Sequence, residues 1–178
     1  GDVIDRGPDG VKILQDMMGR FNVIPILGNH ELTAAVCLSW LLEEVTERQL
    51  AALGETQVAA LQEWIYNGGG PTLRALQSLS RTEREEILEY LQNMELYAQV
   101  KAEGQTFVLV HAGLEHFSPE RRLEDYDLKD FLFCRPCPGQ NYYMDRYLIF
   151  GHTPTRVTRQ AMGQPPEDKI LHWGNQIA

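Results

Sequence analysis

The chain has 178 residues, of which 43% are hydrophobic, and a formal net charge of −9 at pH 7. Its length fits a single domain, residues 1–178, with a buried core, and its acidic balance argues against a nucleic-acid backbone as the main partner, because that binding depends on clustered Lys and Arg. Since it has no run of about 18 apolar residues and no visible signal peptide, we expect a cytoplasmic protein without a membrane partner.

The first part of the chain predicts a helix followed by a strand. Asp9 is placed to cap the helix, and Gly19 is placed to end it. The apolar face of this helix comprises Val11, Leu14 and Met18. Residues 21–27 then predict a short, largely buried strand, in which Pro25 indicates an edge or a bulge.

Residues 33–97 predict a mostly helical insertion, with a break at residues 67–71 (Asn-Gly-Gly-Gly-Pro) and a capping box at Ser80-Arg81-Thr82-Glu83. Apolar residues at helical spacing are Leu38, Leu41, Leu42, Val45, Val58, Leu61, Trp64, Ile65, Ile87, Leu88, Leu91 and Met94. Residues 40–95 contain ten Glu and four Arg. Two interpretations are open: the glutamates form solvated helix faces, or they form an acidic cap that favours neutral or basic substrates.

Strand patterns return after the insertion. Residues 96–100 and 106–110 predict a hairpin that turns at Glu103-Gly104. The apolar run at residues 147–150 predicts another strand, and residues 169–178 predict the start of one more. Residues 125–143 are aromatic and irregular, so they predict a loop.

Four short sequence blocks stand in one order along the chain, and the last three each follow a predicted strand. The blocks are Gly1-Asp2-Val3-Ile4-Asp5-Arg6-Gly7, Gly28-Asn29-His30-Glu31, His111-Ala112-Gly113 and Gly151-His152-Thr153-Pro154. Open α/β sheets bind their ligands at the carboxyl ends of strands. Each block is weak alone, whereas the ordered set indicates the site of a two-metal phosphoesterase.

The blocks carry the ligand types that hard divalent cations prefer, namely carboxylate, amide oxygen and neutral imidazole. The candidate metal ligands are Asp2, Asn29, His111 and His152. An aspartate can bridge two cations about 3.5–4 Å apart, and such ions lower the pKa of bound water from about 15.7 towards roughly 7. The two histidines also fit satisfied core positions, but each follows an apolar strand and precedes a tight turn, which favours ligation.

The same blocks supply groups that could handle a phosphoryl group and a proton. Arg6 can bind phosphate oxygens bidentately. His30, beside Asn29, can protonate a departing alkoxide, and Asp5 can orient this imidazole and raise its pKa.

With these motifs, the chain resembles the phosphoprotein phosphatase family of calcineurin-like metallophosphoesterases, which includes calcineurin and the lambda-phage phosphatase. The resemblance implies an α/β sandwich of two mixed β-sheets flanked by helices, with the site at strand ends on one rim. It implies that Asp2 bridges two divalent ions, Mn²⁺ first and Fe or Zn as alternatives. Asn29, His111 and His152 would complete the second ion's ligands. His30 with Asp5 would act as general acid, and Arg6 and Arg135 would bind phosphate.

The activity implied by the resemblance is phosphomonoester hydrolysis by in-line attack of metal-bound hydroxide, on a phosphoprotein or a small phosphorylated substrate. A bacterial-type Ser/Thr protein phosphatase is the leading interpretation. A dinucleoside tetraphosphate hydrolase of the same superfamily is the first alternative, because Leu27 stands where many protein phosphatases have arginine. A non-catalytic binding module that lacks the first metal is the second.

The chain departs from the family pattern at both ends. The family's earliest motif, Gly-Asp-x-His-Gly, would supply an Asp and a His to the first metal, but this chain begins at the second motif. The last strand also stops at residues 174–178, so we expect both ends to be truncated. A chain without those ligands should bind the first metal weakly and turn over poorly.

Several other residues have ordinary interpretations. Three cysteines, an odd number, do not indicate a disulfide framework, and the Cys134–Cys137 spacing is interpreted as incidental rather than redox-active. His116 and His172 are interpreted as surface or packing residues. The aromatic residues predicted to pack in a core rather than stack on bases are Trp40, Trp64 and Tyr66.

Overall fold

The computed structural model describes residues 1–42, 47–137 and 139–178. The backbone contacts divide the chain into two compact units. The helical unit comprises Gly1–Pro25 and Asn29–Met94, and the sheet unit comprises Ile26–Gly28 and Glu95–Ala178. The organisation of residues 1–178 as one domain stays a prediction. Among the described residues, every helix is too short or too polar to cross a membrane.

The described residues of the helical unit form six α-helices and one π-helical turn. The helices are α1 (Gly10–Met18), α2 (Asn29–Leu38), α3 (Glu47–Ala52), α4 (Glu55–Trp64), α5 (Gly70–Gln77) and α6 (Arg81–Gln92), and the π-helical turn is Ile65–Gly69. The mostly helical character of the insertion is confirmed. Helix α2 begins earlier than predicted, because Asn29 and His30 form its first turn rather than a loop before it. The predicted apolar position Val45 lies outside the described residues.

Helix α1 confirms the predicted apolar face, since Val11 and Leu14 are buried. Its ends differ from the prediction. The Asp9 side chain makes no capping hydrogen bond, because its carboxylate instead accepts one from Lys12 Nζ at 2.9 Å. Gly19 occupies the C-terminal position with a right-handed φ of −77°, so its freedom to adopt left-handed backbone is not used there.

Two other features of the helical unit match their sequence signals. Ser80 caps α6 by accepting from the Glu83 backbone N–H, and Glu83 accepts in return from the Ser80 backbone N–H at 2.8 Å. The predicted break after α4 is a kink in which Gly68 adopts a φ of 108°. Apolar side chains of α1, α2, α4, α5 and α6 fill the core, and the most deeply buried are Leu14, Ala34, Cys37, Leu38, Trp64, Leu76, Ile87 and Leu91.

The aromatic predictions for this unit have mixed outcomes. Trp64 is buried, as predicted, with 1% of its surface exposed. Tyr66 is 91% exposed, so its assignment to a core was wrong. It lies on the π-helical turn, where the helical periodicity that suggested burial is interrupted. Trp40 is half-buried and follows the end of α2.

The sheet unit is built on one mixed sheet of five strands in the order β1-β2-β3-β5-β4. The strands are β1 (Tyr97–Ala102), β2 (Gln105–Val110), β3 (Tyr147–Ile149), β4 (His172–Trp173) and β5 (Gln176–Ile177). Strands β1 and β2 are antiparallel, and β2, β3 and β5 are parallel. The predicted hairpin is confirmed by the antiparallel pairing of β1 with β2. Its turn residues, Glu103 and Gly104, both have positive φ angles. Such angles suit a two-residue turn between strands.

Short helices complete the sheet unit: α7 (Leu128–Leu132), α8 (Thr155–Ala161) and the 3-10 turn Leu123–Asp125. Phe131 of α7 is fully buried and stacks on Tyr97 of β1, with ring centroids 5.7 Å apart. The prediction that residues 125–143 form only a loop was therefore partly wrong. At the start of α7 the Asp127 N–H donates to the Asp130 carboxylate at 3.1 Å, and this signal lies among aromatic and proline residues that suggested irregular backbone.

Two strand predictions need correction, although the α/β class is confirmed. Residues 21–27 form only an isolated bridge from Ile26 to Glu95. Pro25 has no N–H to donate to a ladder, and Phe21 and Ile24 are exposed. Residues 169–178 form the two strands β4 and β5 instead of one, because the chain reverses at Gly174, whose φ is 52°.

The described residues form one sheet, where two were expected. In the helical unit, the backbone N–H groups of Asp2, Val3 and Ile4 donate to the Glu31 carboxylate. Backbone donors committed to a side chain are not available to a strand ladder. The first block is therefore a loop that is anchored to α2.

Candidate functional site

The first site feature of the helical unit is a loop that is held by a buried carboxylate. Glu31 is fully buried in α2, and its two oxygens accept from Asp2 N at 2.6 Å, from Val3 N at 2.7 Å and from Ile4 N at 3.2 Å. The Asp2 Oδ1 atom in turn lies 3.5 Å from the His30 backbone nitrogen. Because Asn29 and His30 begin the helix, Asp2 and Asn29 are both placed at its N-terminus, where a positive helix dipole favours negative charge.

The second feature is the contact of His30 with Asp5 and Arg6. His30 Nδ1 lies 2.7 Å from Asp5 Oδ2, and Arg6 Nη2 lies 3.1 Å from His30 Nε2. An arginine can only donate, so Nε2 accepts and the proton of the neutral ring is on Nδ1, from which it is donated to the carboxylate. The structure thus brings together three of the predicted site residues.

The environment of His30 favours its protonated form. The hydrogen bond to the Asp5 carboxylate raises the pKa of His30 above 6.5, and the negative charges of Asp2 and Asp5 raise it further. Partial burial and the Arg6 guanidinium act in the opposite direction, but the net shift is upward. The imidazole is therefore suited to hold a proton near neutral pH.

The Asp5 carboxylate has two further partners from the insertion. Thr72 Oγ1 donates to Asp5 Oδ1 at 2.6 Å, and Trp64 Nε1 donates to Asp5 Oδ2 at 3.0 Å. The Asp5 backbone N–H also donates to the Thr72 hydroxyl at 2.9 Å. All three residues are buried, so donors from the insertion hold the carboxylate that orients His30.

The backbone is left-handed at several predicted site residues. The φ angles are 59° at Asp2, 71° at Asp5, 58° at Arg6 and 65° at His152. Non-glycine residues adopt such angles only where the surrounding structure holds them, and they cluster at functional sites. At Arg6 the holding contact is its backbone N–H, which donates to the Gly68 carbonyl at 2.8 Å.

In the sheet unit, two neighbouring parallel strands place two histidines at their carboxyl ends. His111 follows β2 directly, and His152 comes three residues after β3. The Gly151 N–H donates to the His111 carbonyl at 2.8 Å and ties the two loops together. His111 Nε2 and His152 Nδ1 are 3.1 Å apart, with the rings edge to face.

This donor set fits a divalent metal ion. Two imidazole nitrogens that each bind one ion at about 2.1 Å would lie about 3 Å apart, which is the spacing of the two ring nitrogens here. Within the sheet unit, His111 and His152 each offer one ring nitrogen as a ligand. Carboxylate and imidazole ligands suit Mn, Fe and Zn, and no thiolate is needed.

The predicted phosphate ligand Arg135 lies in the segment after α7. The segment packs on the His-Ala-Gly block, because Ala112 N–H donates to the Phe131 carbonyl at 3.0 Å and a Cβ at Gly113 would lie 3.1 Å from Cys134 Sγ. Arg135 itself is exposed. Its side chain makes no ion pair with the part of the chain that the structure describes.

Sequence reasoning missed three residues that the structure adds to the site. Glu31 stands inside the second block, directly after the predicted site residues Asn29 and His30. Its position there was a signal that it belongs to the site. Trp64 was predicted only as core, and Thr72 was not singled out. They are 59 and 67 residues from Asp5 along the chain, and no local pattern links positions so far apart.

The comparison with known protein families agrees with the motifs and with the fold. The family model described as calcineurin-like phosphoesterase matches residues 1–163. This range contains all four blocks, both arginines predicted to bind phosphate, and the segment from Trp64 to Thr72.

Proposed function

The chain belongs to the calcineurin-like phosphoesterase family of metal-dependent hydrolases, and we propose that it is a phosphomonoesterase of the Ser/Thr protein phosphatase type. The observation that carries this proposal is the buried dyad of Asp5 and His30, with Nδ1 and Oδ2 2.7 Å apart. The family membership supplies the reaction class, and the dyad supports the finer choice of substrate.

The dyad favours an alkyl ester because of the leaving group. Serine and threonine leave as alkoxides, which are strongly basic and need a proton in the transition state. The leaving group of a dinucleoside polyphosphate is a weakly basic phosphate, which needs none. A histidine with a raised pKa, held by a carboxylate, matches the first requirement and adds little to the second.

The site residues have two tasks, metal binding and phosphate binding. Asp2, Asn29, His111 and His152 would be the ligands that this chain supplies to the divalent ions of the family, of which Mn²⁺ is the expected one. When bound, such ions supply a water of lowered pKa and neutralise phosphoryl charge. Arg6 and Arg135 bind and orient the phosphoryl oxygens.

Arg6 also controls access to the general acid. In the structure its guanidinium donates to His30 Nε2, so this nitrogen must gain a proton before it can act as the acid. Its move to a substrate phosphate would expose this nitrogen to the leaving oxygen, so proton delivery would follow phosphate binding.

The surface charge fits a peptide substrate of neutral or basic character. Glutamates are exposed on α4 and α6, namely Glu55, Glu63, Glu85, Glu86 and Glu89. Their exposure fits both interpretations of the acidic insertion, solvated helix faces and an acidic cap. With a net charge of −9, the protein would repel an acidic partner at long range.

The test is phosphate release from a phosphoserine peptide, diadenosine tetraphosphate and p-nitrophenyl phosphate at saturating Mn²⁺. We expect turnover of the peptide to exceed that of the dinucleotide. His30→Asn should slow the peptide reaction by about 10²–10⁴-fold, should affect p-nitrophenyl phosphate much less, and should leave Mn²⁺ binding intact. His172→Asn, an exposed histidine outside the site, is the matched control. Preference for the dinucleotide would overturn the proposal in favour of the hydrolase, and loss of Mn²⁺ binding in His30→Asn would overturn the role of His30.

A further inference from the structure

We propose that Trp64 and Thr72 are positioning residues that clamp the Asp5 carboxylate and so aim His30 at the leaving oxygen. The inference rests on the proposed function, because it specifies what holds the general acid of that site. It assigns a positioning role to the helical insertion. Composition and charge alone do not indicate such a role.

The geometry of the clamp fixes both oxygens of one carboxylate. Thr72 Oγ1 donates to Oδ1 at 2.6 Å, while Trp64 Nε1 and His30 Nδ1 both meet Oδ2, at 3.0 Å and 2.7 Å. The Thr72 hydroxyl also accepts from the Asp5 backbone N–H at 2.9 Å. One hydroxyl therefore joins the main chain and the side chain of Asp5, which leaves the carboxylate little freedom to rotate.

Burial makes these bonds necessary. The Asp5 side chain is fully buried, and Trp64 and Thr72 are 1% and 3% exposed. A buried carboxylate without donors is costly, and water cannot easily replace a protein donor here. Removal of either donor should let the carboxylate turn away from the position that orients His30.

The turn between the two clamp residues also sets the position of Arg6. The Gly68 carbonyl accepts from Arg6 N, and a Cβ at Gly68 would lie 2.7 Å from Arg6 Cγ. A Cβ at Gly69 would lie 2.5 Å from the Trp64 indole. Only glycine fits at both places, so the turn packs directly against the loop of Asp5 and Arg6. Through this packing, the insertion directly contacts the loop that carries Asp5 and Arg6.

The first test compares Thr72→Val, which is nearly isosteric, with Trp64→Phe, which keeps an aromatic ring of smaller volume; each variant removes one donor. With the phosphoserine peptide at saturating Mn²⁺, kcat should fall by about 10–100-fold while KM changes little, since small misplacement of a catalytic group has effects of this size. With p-nitrophenyl phosphate, whose leaving group needs no proton, kcat should change by less than about threefold. Thr72→Ser keeps the hydroxyl and should restore peptide turnover.

The controls are Trp40→Phe and Thr158→Val, which alter the same residue types outside the site and should leave both reactions unchanged. An equal loss on both substrates would overturn the proposal, because it would indicate general damage rather than a misplaced acid. Unchanged peptide turnover in both donor variants would also overturn it. So would a loss in Thr72→Ser as large as that in Thr72→Val, because the hydroxyl would then not be the group that acts.

A second measurement does not depend on activity or on metal. The chain has three tryptophans, so its ¹H–¹⁵N spectrum should show three indole N–H signals, and Trp64→Phe identifies one of them. That signal should exchange slowly with solvent, and it should shift and exchange faster in Asp5→Asn. Rapid exchange in the wild-type chain would overturn the clamp. Preference for the dinucleotide together with a slowly exchanging Trp64 signal would refute the proposed function and leave the hydrogen bond established, so the two failures can be told apart.

Discussion

At the scale of single residues, Glu31 shows how much one buried carboxylate can organise. It accepts from three consecutive backbone nitrogens, Asp2 to Ile4, within 3.2 Å. Hydrogen bonds to a charged acceptor contribute about 1.5–3 kcal/mol each at most, and here they also set where the Asp2 side chain begins. A metal ligand on a loop is only as well placed as the contacts that hold the loop.

Glu31→Gln should therefore weaken both the fold and metal binding. The amide presents an NH₂ group where an oxygen now accepts, so at least one backbone N–H would lose its partner. We expect the free energy of unfolding to fall by about 1–3 kcal/mol and the Kd for Mn²⁺ to rise about 10–100-fold. Thermal melts and isothermal titration calorimetry measure these changes, with the exposed Glu86→Gln as control. Unaltered Mn²⁺ affinity would show that Glu31 does not position Asp2.

At the scale of secondary structure elements, α7 is fixed by the side chain of Asp130. One carboxylate oxygen accepts from His116 Nδ1 at 3.0 Å, and the other accepts from the Asp127 N–H at 3.1 Å and pairs with Arg121 at 3.3 Å. The Asp130 carbonyl accepts from Glu115 N–H as well. Since Glu115 follows the His-Ala-Gly block closely, Asp130 couples this helix to the loop that carries His111.

Asp130→Asn should destabilise the protein in a pH-dependent manner. Burial raises the pKa of Asp130, but the His116 and Asp127 hydrogen bonds and the Arg121 charge outweigh it, so the folded pKa lies below 3.8. A lowered folded pKa contributes stability above the unfolded pKa, and this contribution is lost as the pH falls through the folded value. We expect Asn to cost about 1–3 kcal/mol at pH 7 and progressively less below about pH 4.

Urea unfolding at several pH values measures this difference. Asp168→Asn is the control, because Asp168 is exposed and pairs only loosely with Arg156 at 3.8 Å. A penalty for Asp130→Asn that stays constant from pH 7 to pH 3 would contradict the assignment to charge.

At the scale of the whole molecule, the expected metal ligands are spread from residue 2 to residue 152 of the chain. An ion that binds only the folded state stabilises it by RT ln(1 + [L]/Kd), about 2.7 kcal/mol at a hundredfold excess over Kd. Such stabilisation does not require catalysis. It therefore tests the ligand set independently of the substrate.

Mn²⁺ should raise the Tm of the protein, and EDTA should reverse the rise. His152→Ala should remove most of the increase, because one of the two adjacent imidazoles is lost. Differential scanning calorimetry with and without the ion is the measurement, and His172→Ala is the control. If His152→Ala and wild type showed the same increase in Tm, His152 would not be a ligand.

Predictions from the sequence held where a local pattern carries the physical cause. The β1–β2 hairpin, the Ser80 capping box and the burial of Trp64 all follow from neighbouring residues. They failed where a short apolar run fits more than one outcome, as at residues 21–27, because periodicity alone does not reveal whether a ladder partner exists. They also failed at Tyr66, where a π-helical turn shifts the face of the helix.

The sequence by itself determined the class of chemistry, because preferences for metal ligands and hydrogen-bond donors belong to residue types. The four ordered blocks supply these residue types together. The sequence was sufficient for the reaction class of the family and for the dyad of Asp5 and His30, and the metal ligands stay predictions. Only the tertiary structure decided what holds that dyad. The partners of a buried carboxylate are those that the fold brings within hydrogen-bond distance, and Trp64 and Thr72 reach Asp5 across 59 and 67 residues of chain. Hydrogen bonding and desolvation depend on position in space, which no spacing along the chain encodes.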